Sequence, residues 1–184
     1  PLKRTDCSPV SDGAAAVVVS SKDVADAAAQ KVRFLARTQV TDFMPMQQRN
    51  PLVFDGVTRA WQNVLREADM TLDSLSFAEV HDCFTIAELM IYESMGLTPY
   101  GEGARAIKEG WVMKDGRLPV NPSGGLKAKG HPVGATGVSM HVMAARQLLG
   151  EAGGCQIADA HTGAVFNMGG LAVANYASLL QRVD

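Results

Sequence analysis

A glycine-rich segment that begins at Asn121 constrains the fold of this 184-residue chain more than any other feature. Its sequence is Asn-Pro-Ser-Gly-Gly-Leu-Lys-Ala-Lys-Gly-His-Pro-Val-Gly-Ala-Thr-Gly, with five glycines in the 14 residues from Gly124 to Gly137. Glycines let a backbone turn tightly and approach a ligand closely. A short apolar run, 118–120, precedes the segment, and a helical pattern to about Leu149 follows it. The segment is therefore predicted to be a loop between a strand and a helix.

The rest of the chain alternates apolar runs with amphipathic segments, which predicts an α/β fold. Strands are predicted at residues 14–20, 32–36, 77–80, 118–120, 153–164 and 171–180. Helices are predicted at residues 22–30, 56–70, 86–95, 101–110 and 138–149. Residues 38–55 lack periodicity and contain two prolines, so we expect a long loop, and loops of that length are often functional.

Composition narrows the classes of function. Hydrophobic residues make up 47% and charged residues 20%, enough to bury a core. A net charge of -2 without a dense Lys/Arg stripe argues against nucleic acid or an anionic membrane as the main partner, and no apolar run is long enough to span a bilayer. Three sparse cysteines indicate a reducing compartment, so we expect a cytoplasmic protein. The sequence contains no His/Cys/Asp spacing of the kind that is typical of a metal site.

His131 is the first candidate catalytic residue. It lies between Gly130 and Pro132, which restrict the local backbone and would aim the imidazole. Because histidine titrates near neutral pH, a fixed imidazole suits proton transfer or the activation of a thiol. The alternative interpretation is a solvated histidine in an ordinary strand-to-helix turn.

Four segments carry a resemblance to a known family. Residues 124–137 resemble the histidine loop of thiolases, and residues 11–16, Ser-Asp-Gly-Ala-Ala-Ala, resemble the strand that ends the thiolase N-terminal half. Residues 81–84, His-Asp-Cys-Phe, resemble the motif of the sterol-carrier-protein type of thiolase. Residues 166–170, Phe-Asn-Met-Gly-Gly, fall where other thiolases have a C-terminal Cys-x-Gly motif. The four matches follow the family's order and cover essentially the whole chain.

The resemblance implies a thiolase-like layered α/β/α fold with a mixed sheet of about five strands. Residues 1–30 would be the last strand and helix of the thiolase N-terminal domain, and residues 31–184 the C-terminal domain. The nucleophilic cysteine of thiolases belongs to the N-terminal half, so we expect this chain alone to be inactive. The full-length enzyme is expected to be a homodimer that contains that missing half.

The resemblance also implies a chemistry. Thiolases cleave or form 3-ketoacyl-CoA thioesters through an acyl-cysteine, with a coenzyme A thioester as substrate and no further cofactor. By resemblance, His131 activates the nucleophile and lines a first oxyanion hole, and His81 supports that hole. The backbone N–H of Gly169 would help form a second oxyanion hole. Phe84 and Gly130 are expected to contact the substrate.

Cys83 is expected to be the second acid/base. The usual second catalytic cysteine of thiolases would fall at Phe166 or Asn167, and neither side chain can move a proton. In the sterol-carrier-protein type, the cysteine of His-Asp-Cys-Phe is thought to take that role, and the helix start after Cys83 would lower its pKa. The alternative is that Cys83 is a small buried hydrophobe. The other cysteines and histidines are interpreted as structural: Cys7, Cys155, His141 and His161.

Two further functions remain open. A cysteine with two histidines also resembles the ketosynthase arrangement, although ketosynthases lack a cysteine beside the first histidine. The chain could instead be a non-catalytic thiolase-fold subunit that binds acyl-CoA or a protein partner. The missing acid at 166 and 167 favours that subunit, whereas Cys83 and the intact histidine loop oppose it.

Overall fold

A mixed β-sheet lies between helices in the computed structural model, which describes residues 2–183. The strands are β1 Val32–Thr41, β2 Phe77–Val80, β3 Thr162–Gly169 and β4 Ala174–Arg182. The helices are α1 Lys22–Asp26, α2 Asp55–Glu67, α3 Thr85–Ser94, α4 Gly103–Lys108, α5 Gly125–Lys129 and α6 Thr136–Leu148. Pro1 and Asp184, at the ends of the two predicted domain ranges, lie outside the described residues.

The strands are arranged in the order β1-β4-β3-β2. β4 is antiparallel to both of its neighbours, whereas β2 and β3 are parallel. The long connection that a parallel pair requires contains α3 to α6. The predicted α/β fold with a mixed sheet is confirmed. Within residues 2–183 the sheet has four strands rather than about five, because Val120 of the predicted strand 118–120 makes only an isolated parallel bridge to Ala78.

Both faces of the sheet are covered, since successive side chains of a strand point to opposite faces. On one face, Ala164 and Phe166 of β3 join a large core that includes α2 and α3. On the other face, Val165 joins a smaller core that includes Met140 of α6. Trp61 of α2 stacks on Phe166 with ring centroids 6.0 Å apart. The result is the layered α/β/α arrangement that the sequence predicts.

Helix α2 shows why the periodicity prediction worked. Val57, Ala60, Trp61 and Val64 recur at helical spacing, and all four are buried. They pack against the sheet, while the polar side of the helix faces outward. The predicted helix 56–70 is confirmed with slightly different ends.

The strand predicted at residues 14–20 is wrong. These residues form no strand, and Val18 is 98% exposed. A continuous apolar run predicts a strand that is covered on both faces. Among residues 2–183, no strand or helix covers this run. The prediction recognised the apolar run but not the lack of an element to bury it.

The loop predicted at residues 38–55 begins later than expected. β1 continues to Thr41, where it pairs with Ala174 of β4. Residues 38–41 are mostly polar and lie near the rim of the sheet, so they carried no hydrophobic signal. The two closing strands also shift, and residues 166–169, predicted to lie between them, belong to β3.

Candidate active site

Sheet topology brings two residues of the site together. In the parallel pair, Val80 of β2 is level with Phe166 of β3. The next residues along the two chains, His81 and Asn167, are therefore side by side. His81 Nδ1 lies 2.6 Å from Asn167 Oδ1. The partner of His81 is thus fixed by the register of the two strands.

The histidine loop brings the second imidazole to the same place. His131 follows α5 and precedes α6, and its ring centroid is 5.0 Å from that of His81, with the rings edge to face. His81 is buried, and His131 is half-buried. These two predicted residues are therefore brought together, and we call them the histidine pair.

The Nδ1 atom of His131 is held by a hydroxyl group. It lies 2.7 Å from Thr136 Oγ1, and that hydroxyl donates to the carbonyl oxygen of Pro132 at 3.1 Å. With its hydrogen used there, the Thr136 hydroxyl accepts from His131 Nδ1–H. The neutral imidazole then has its lone pair on Nε2, which is the state that a general base needs.

A buried carboxylate anchors the loop. Asp82, next to His81, accepts from the backbone N–H of Leu126 at 2.6 Å and of Lys127 at 3.2 Å. These N–H groups lie in the first turn of α5, where backbone donors lack helical partners. A Cβ at Gly125 would lie 2.2 Å from Asp82 Oδ2, and Gly125 has a φ of +62°. Glycine is required at this position of the loop.

The N-terminal segment supports the other end of the loop. Ser11 Oγ accepts from the backbone N–H of His131 at 2.7 Å. A Cβ at Gly130 would come within 2.7 Å of the same oxygen. Ser11 therefore leaves no room for a side chain at Gly130, which was predicted to contact the substrate.

Burial is the main influence on both imidazoles. It lowers the pKa of His81 and of His131, because a low-dielectric surrounding disfavours the charged ring. The hydrogen bond to Asn167 opposes this effect at His81, and the charge of Asp82 opposes it at both rings. Both rings are therefore neutral at neutral pH, and a neutral imidazole can accept a proton.

Two further carboxylates lie at the start of the loop, the buried Glu79 and the partly buried Glu88. Glu79 is 1% exposed and accepts from the backbone N–H of Ser123 at 3.2 Å and from its hydroxyl at 2.7 Å. Burial raises the pKa of Glu79, with Lys129 Nζ at 3.6 Å opposing the shift. Glu88 accepts from Asn121 Nδ2 at 2.9 Å, and burial raises its pKa as well. These acids tie β2 and α3 to the start of the histidine loop.

Cys83 differs from the expectation in its electrostatics. Burial raises the pKa of the Cys83 thiol, and the nearby charge of Asp82 adds to the shift. The expected lowering by the helix start is wrong, because burial outweighs the backbone N–H of Phe84 that acts in the opposite direction. The side chain is partly buried and packs against the core formed with α2 and α3.

Two further residues were expected at the site, Phe84 and Gly169. Phe84 precedes α3, is 46% exposed and forms an isolated bridge to Cys7. Gly169 ends β3 and lines an open, mainly apolar cavity of about 560 Å³ together with Met44, Met46 and others. Part of the cavity wall is formed by the predicted loop 38–55, for which a functional role was expected.

Three residues of the site were missed as functional residues in the sequence. In the sequence, Asn167 drew attention only as one of two positions for the usual second cysteine of thiolases. Neither Thr136 nor Asp82 was predicted to have a role. Each acts by holding a histidine or its loop. A hydroxyl five residues after His131 was the only local signal, since the other contacts depend on strand register and loop folding.

Among residues 2–183 there is no group of three or more His, Cys, Asp or Glu side chains that could hold a metal ion. None of the helices in this same range is long and apolar enough to cross a membrane.

Comparison with known families extends these observations. Residues 38–182 match the family described as thiolase C-terminal domain-like. The chain is 41% identical over 172 residues to the acetyl-CoA acetyltransferase of Methanothermobacter thermautotrophicus, which covers 92% of this chain and 45% of that protein. It is 35% identical over 170 residues to sterol carrier protein 2 of Homo sapiens, which covers 89% of this chain and 31% of that protein.

Two other relatives add detail. The chain is 32% identical over 159 residues to the benzoylsuccinyl-CoA thiolase subunit BbsB of Thauera aromatica, which covers 85% of this chain and 41% of that protein. The solved structure of an Ltp2-ChsH2(DUF35) aldolase shares the fold, with a TM-score of 0.74 at 20% identity over 82% of this chain and 39% of that one. The chain thus spans less than half the length of each of these relatives.

Proposed function

Because this chain belongs to the thiolase family, whose C-terminal domain it matches over most of its length, we propose that it supplies the histidine half of an acyltransferase. The substrates are acyl-CoA and 3-ketoacyl-CoA thioesters, and the reaction is thiolytic cleavage or its reverse, Claisen condensation. The observation that carries this proposal is the histidine pair, with both Nδ1 atoms bound to protein groups. The likeness to an acetyl-CoA acetyltransferase supports the substrate class.

His131 is the base that activates the nucleophile in this proposal. Its Nε2 lone pair accepts the proton of a cysteine thiol, and the thiolate attacks the acyl carbonyl of acyl-CoA, so that the thioester C–S bond breaks and coenzyme A leaves as its thiolate. The imidazolium formed in this way donates Nε2–H to the oxygen of a thioester, as an oxyanion hole requires. His131 therefore changes from acceptor to donor within one reaction cycle.

The cysteine nucleophile is supplied from outside the residues of this chain. The family likeness supports an N-terminal thiolase half as its source, joined to this domain or carried by another chain. The run 10–19, with Val10, Val18 and Val19 mostly exposed, supports an apolar contact with such a half. The complete enzyme is a cytoplasmic homodimer in this proposal, and light scattering of the isolated protein would test the dimer.

The decisive experiment is an intact-mass measurement after incubation with acetyl-CoA. The 184-residue chain alone should acquire no acyl group. The protein isolated from its own cells through a tag on this chain should acquire one, which peptide mapping places on a cysteine other than Cys7, Cys83 or Cys155. An adduct on any of these three would refute the division of roles.

A second candidate function is a non-catalytic thiolase-fold subunit. Two observations favour it: burial raises the pKa of Cys83, and the position of the usual second cysteine holds a buried Phe166 or the amide of Asn167. One relative is itself named as a thiolase subunit. If the protein isolated from its cells binds acetyl-CoA but forms no adduct and cleaves no 3-ketoacyl-CoA, this second function is correct.

A further inference from the structure

The two histidines of the pair are held in the same way, although the expected roles require them to differ. An oxyanion hole needs a donor at Nε2, whereas a proton acceptor needs a lone pair there. Which of the two His81 presents depends on what its Nδ1 atom does. The structure gives that atom one partner, the side chain of Asn167.

The Asn167 side chain selects the tautomer of His81. Its Oδ1 atom lies 2.6 Å from His81 Nδ1, and an amide oxygen can only accept a hydrogen bond. Nδ1 must therefore carry the hydrogen, which leaves the lone pair of the neutral ring on Nε2. The Asn167 amide packs beside Gly137, where a Cβ would lie 3.0 Å from Asn167 Nδ2.

Cys83 is less suited to the same task. A thiol acts as a base only as thiolate, and burial beside Asp82 disfavours that anion. Burial has the opposite consequence for His81, since it favours the neutral ring that accepts a proton. The Cys83 side chain also packs against the core.

We infer that His81, oriented by Asn167, is the general base that removes the α-proton of the acyl-CoA substrate, in place of Cys83. This inference rests on the proposed acyltransferase function and adds the assignment of its second proton transfer. Asn167 is a positioning residue, because it acts through His81 and not on the substrate.

The proton transfer balances without any further reactant. The α C–H bond breaks and its electron pair forms the C=C bond of an enolate, while the thioester C=O pair moves onto oxygen. The proton passes to Nε2 of His81, and His81 Nδ1–H remains bound to Asn167 Oδ1. His131, already carrying the thiol proton, donates Nε2–H to the enolate oxygen. In the cleavage direction the same proton returns from His81 to the α-carbon.

The arrangement accommodates the charges that arise. Two imidazolium rings 5.0 Å apart would repel each other, but the enolate formed in the same step is negative and offsets this repulsion. The carboxylate of Asp82 acts on both rings in the direction that favours their charged forms. The buried acid beside the pair therefore supports a transient state that the resting pair disfavours.

The first test is the tautomer of His81, read from the nitrogen chemical shifts of its ring in the 184-residue chain. We expect Nδ1–H in the unaltered chain and a mixture of tautomers in Asn167→Ala. Asn167→Asp retains an acceptor and should restore the Nδ1–H form. An Nε2–H tautomer in the unaltered chain would overturn the inference.

The second test is exchange of the α-protons of acetyl-CoA in deuterated water by the protein isolated from its cells, with acyl-adduct mass measured on the same samples. His81→Gln should lower the exchange rate by about 10²–10⁴-fold, the usual contribution of a general base, and still form the adduct. Cys83→Ala and the control His141→Gln should exchange within about threefold of the unaltered protein, because His141 bonds to Gly137 and Ser178 instead.

Proton exchange and adduct mass together distinguish failure of the His81 assignment from failure of the acyltransferase function. Exchange that is lost in Cys83→Ala but kept in His81→Gln, with adducts intact, would overturn the assignment of the base and leave the acyltransferase standing. Absence of both adduct and exchange in the unaltered protein would refute the acyltransferase function, and this inference with it.

Discussion

Replacing Gly125 by alanine tests how the histidine loop is held. Gly125 has a φ of +62°, a left-handed conformation that costs an alanine roughly 1–2 kcal/mol. Its Cβ would lie 2.2 Å from Asp82 Oδ2, so the carboxylate must move away from the N–H groups of Leu126 and Lys127. Each such bond to a charged group contributes about 1.5–3 kcal/mol. With the strain and one bond lost, we expect the free energy of unfolding to fall by about 2.5–5 kcal/mol.

Urea unfolding followed by circular dichroism measures this loss. Gly134→Ala is the matched control in the same loop, because a Cβ there has no heavy atom within 4 Å, and it should change stability by no more than about 0.5 kcal/mol.

A double variant isolates the contribution of Asp82. In an Asp82→Ala background the carboxylate is absent, so Gly125→Ala should cost only the strain of roughly 1–2 kcal/mol. The reasoning is refuted if Gly125→Ala costs less than the strain alone, or if its full cost persists without Asp82.

Three further changes test other parts of the structure. Burial raises the pKa of Glu79, so the folded chain holds that proton more tightly than the unfolded chain and loses stability as pH rises above 4.5. Glu79→Gln should therefore lose less stability over that pH range, measured by urea unfolding at several pH values. Parallel stability profiles of the two proteins would contradict this. Trp61→Ala should cost about 3–5 kcal/mol by thermal unfolding. Trp61→Phe should cost much less, because it also removes a buried indole N–H that has no hydrogen-bond partner among residues 2–183. Val18→Asp should change stability by less than about 0.5 kcal/mol, since this side chain is 98% exposed. A large loss would instead support the buried strand predicted at residues 14–20.

The sequence carried the local parts of the fold and of the site. α2 was predictable because its four buried residues repeat at helical spacing, and the place of His131 was predictable from the glycines around it. The strand at 14–20 failed because apolar runs do not reveal whether any element covers them. The end of β1 failed because its last residues are mostly polar and pair with β4, a strand far along the chain.

The contacts that define the site could not be predicted in the same way. His81 and Asn167 are 86 residues apart, and only the register of β2 with β3 brings them together. The pKa of Cys83 depends on how deeply its side chain is buried, which the helix start that follows it does not indicate. Local patterns locate the histidines, and the tertiary fold decides their partners.

In the proposed function, His131 serves as the base for a cysteine outside this chain. The most direct measurement is CoA-dependent cleavage of acetoacetyl-CoA by the protein isolated from its cells, compared with its His131→Gln variant and with His141→Gln as the control. We expect a rate about 10²–10⁴-fold lower for His131→Gln and an unchanged rate for the control. Equal rates for His131→Gln and the unaltered protein would contradict it.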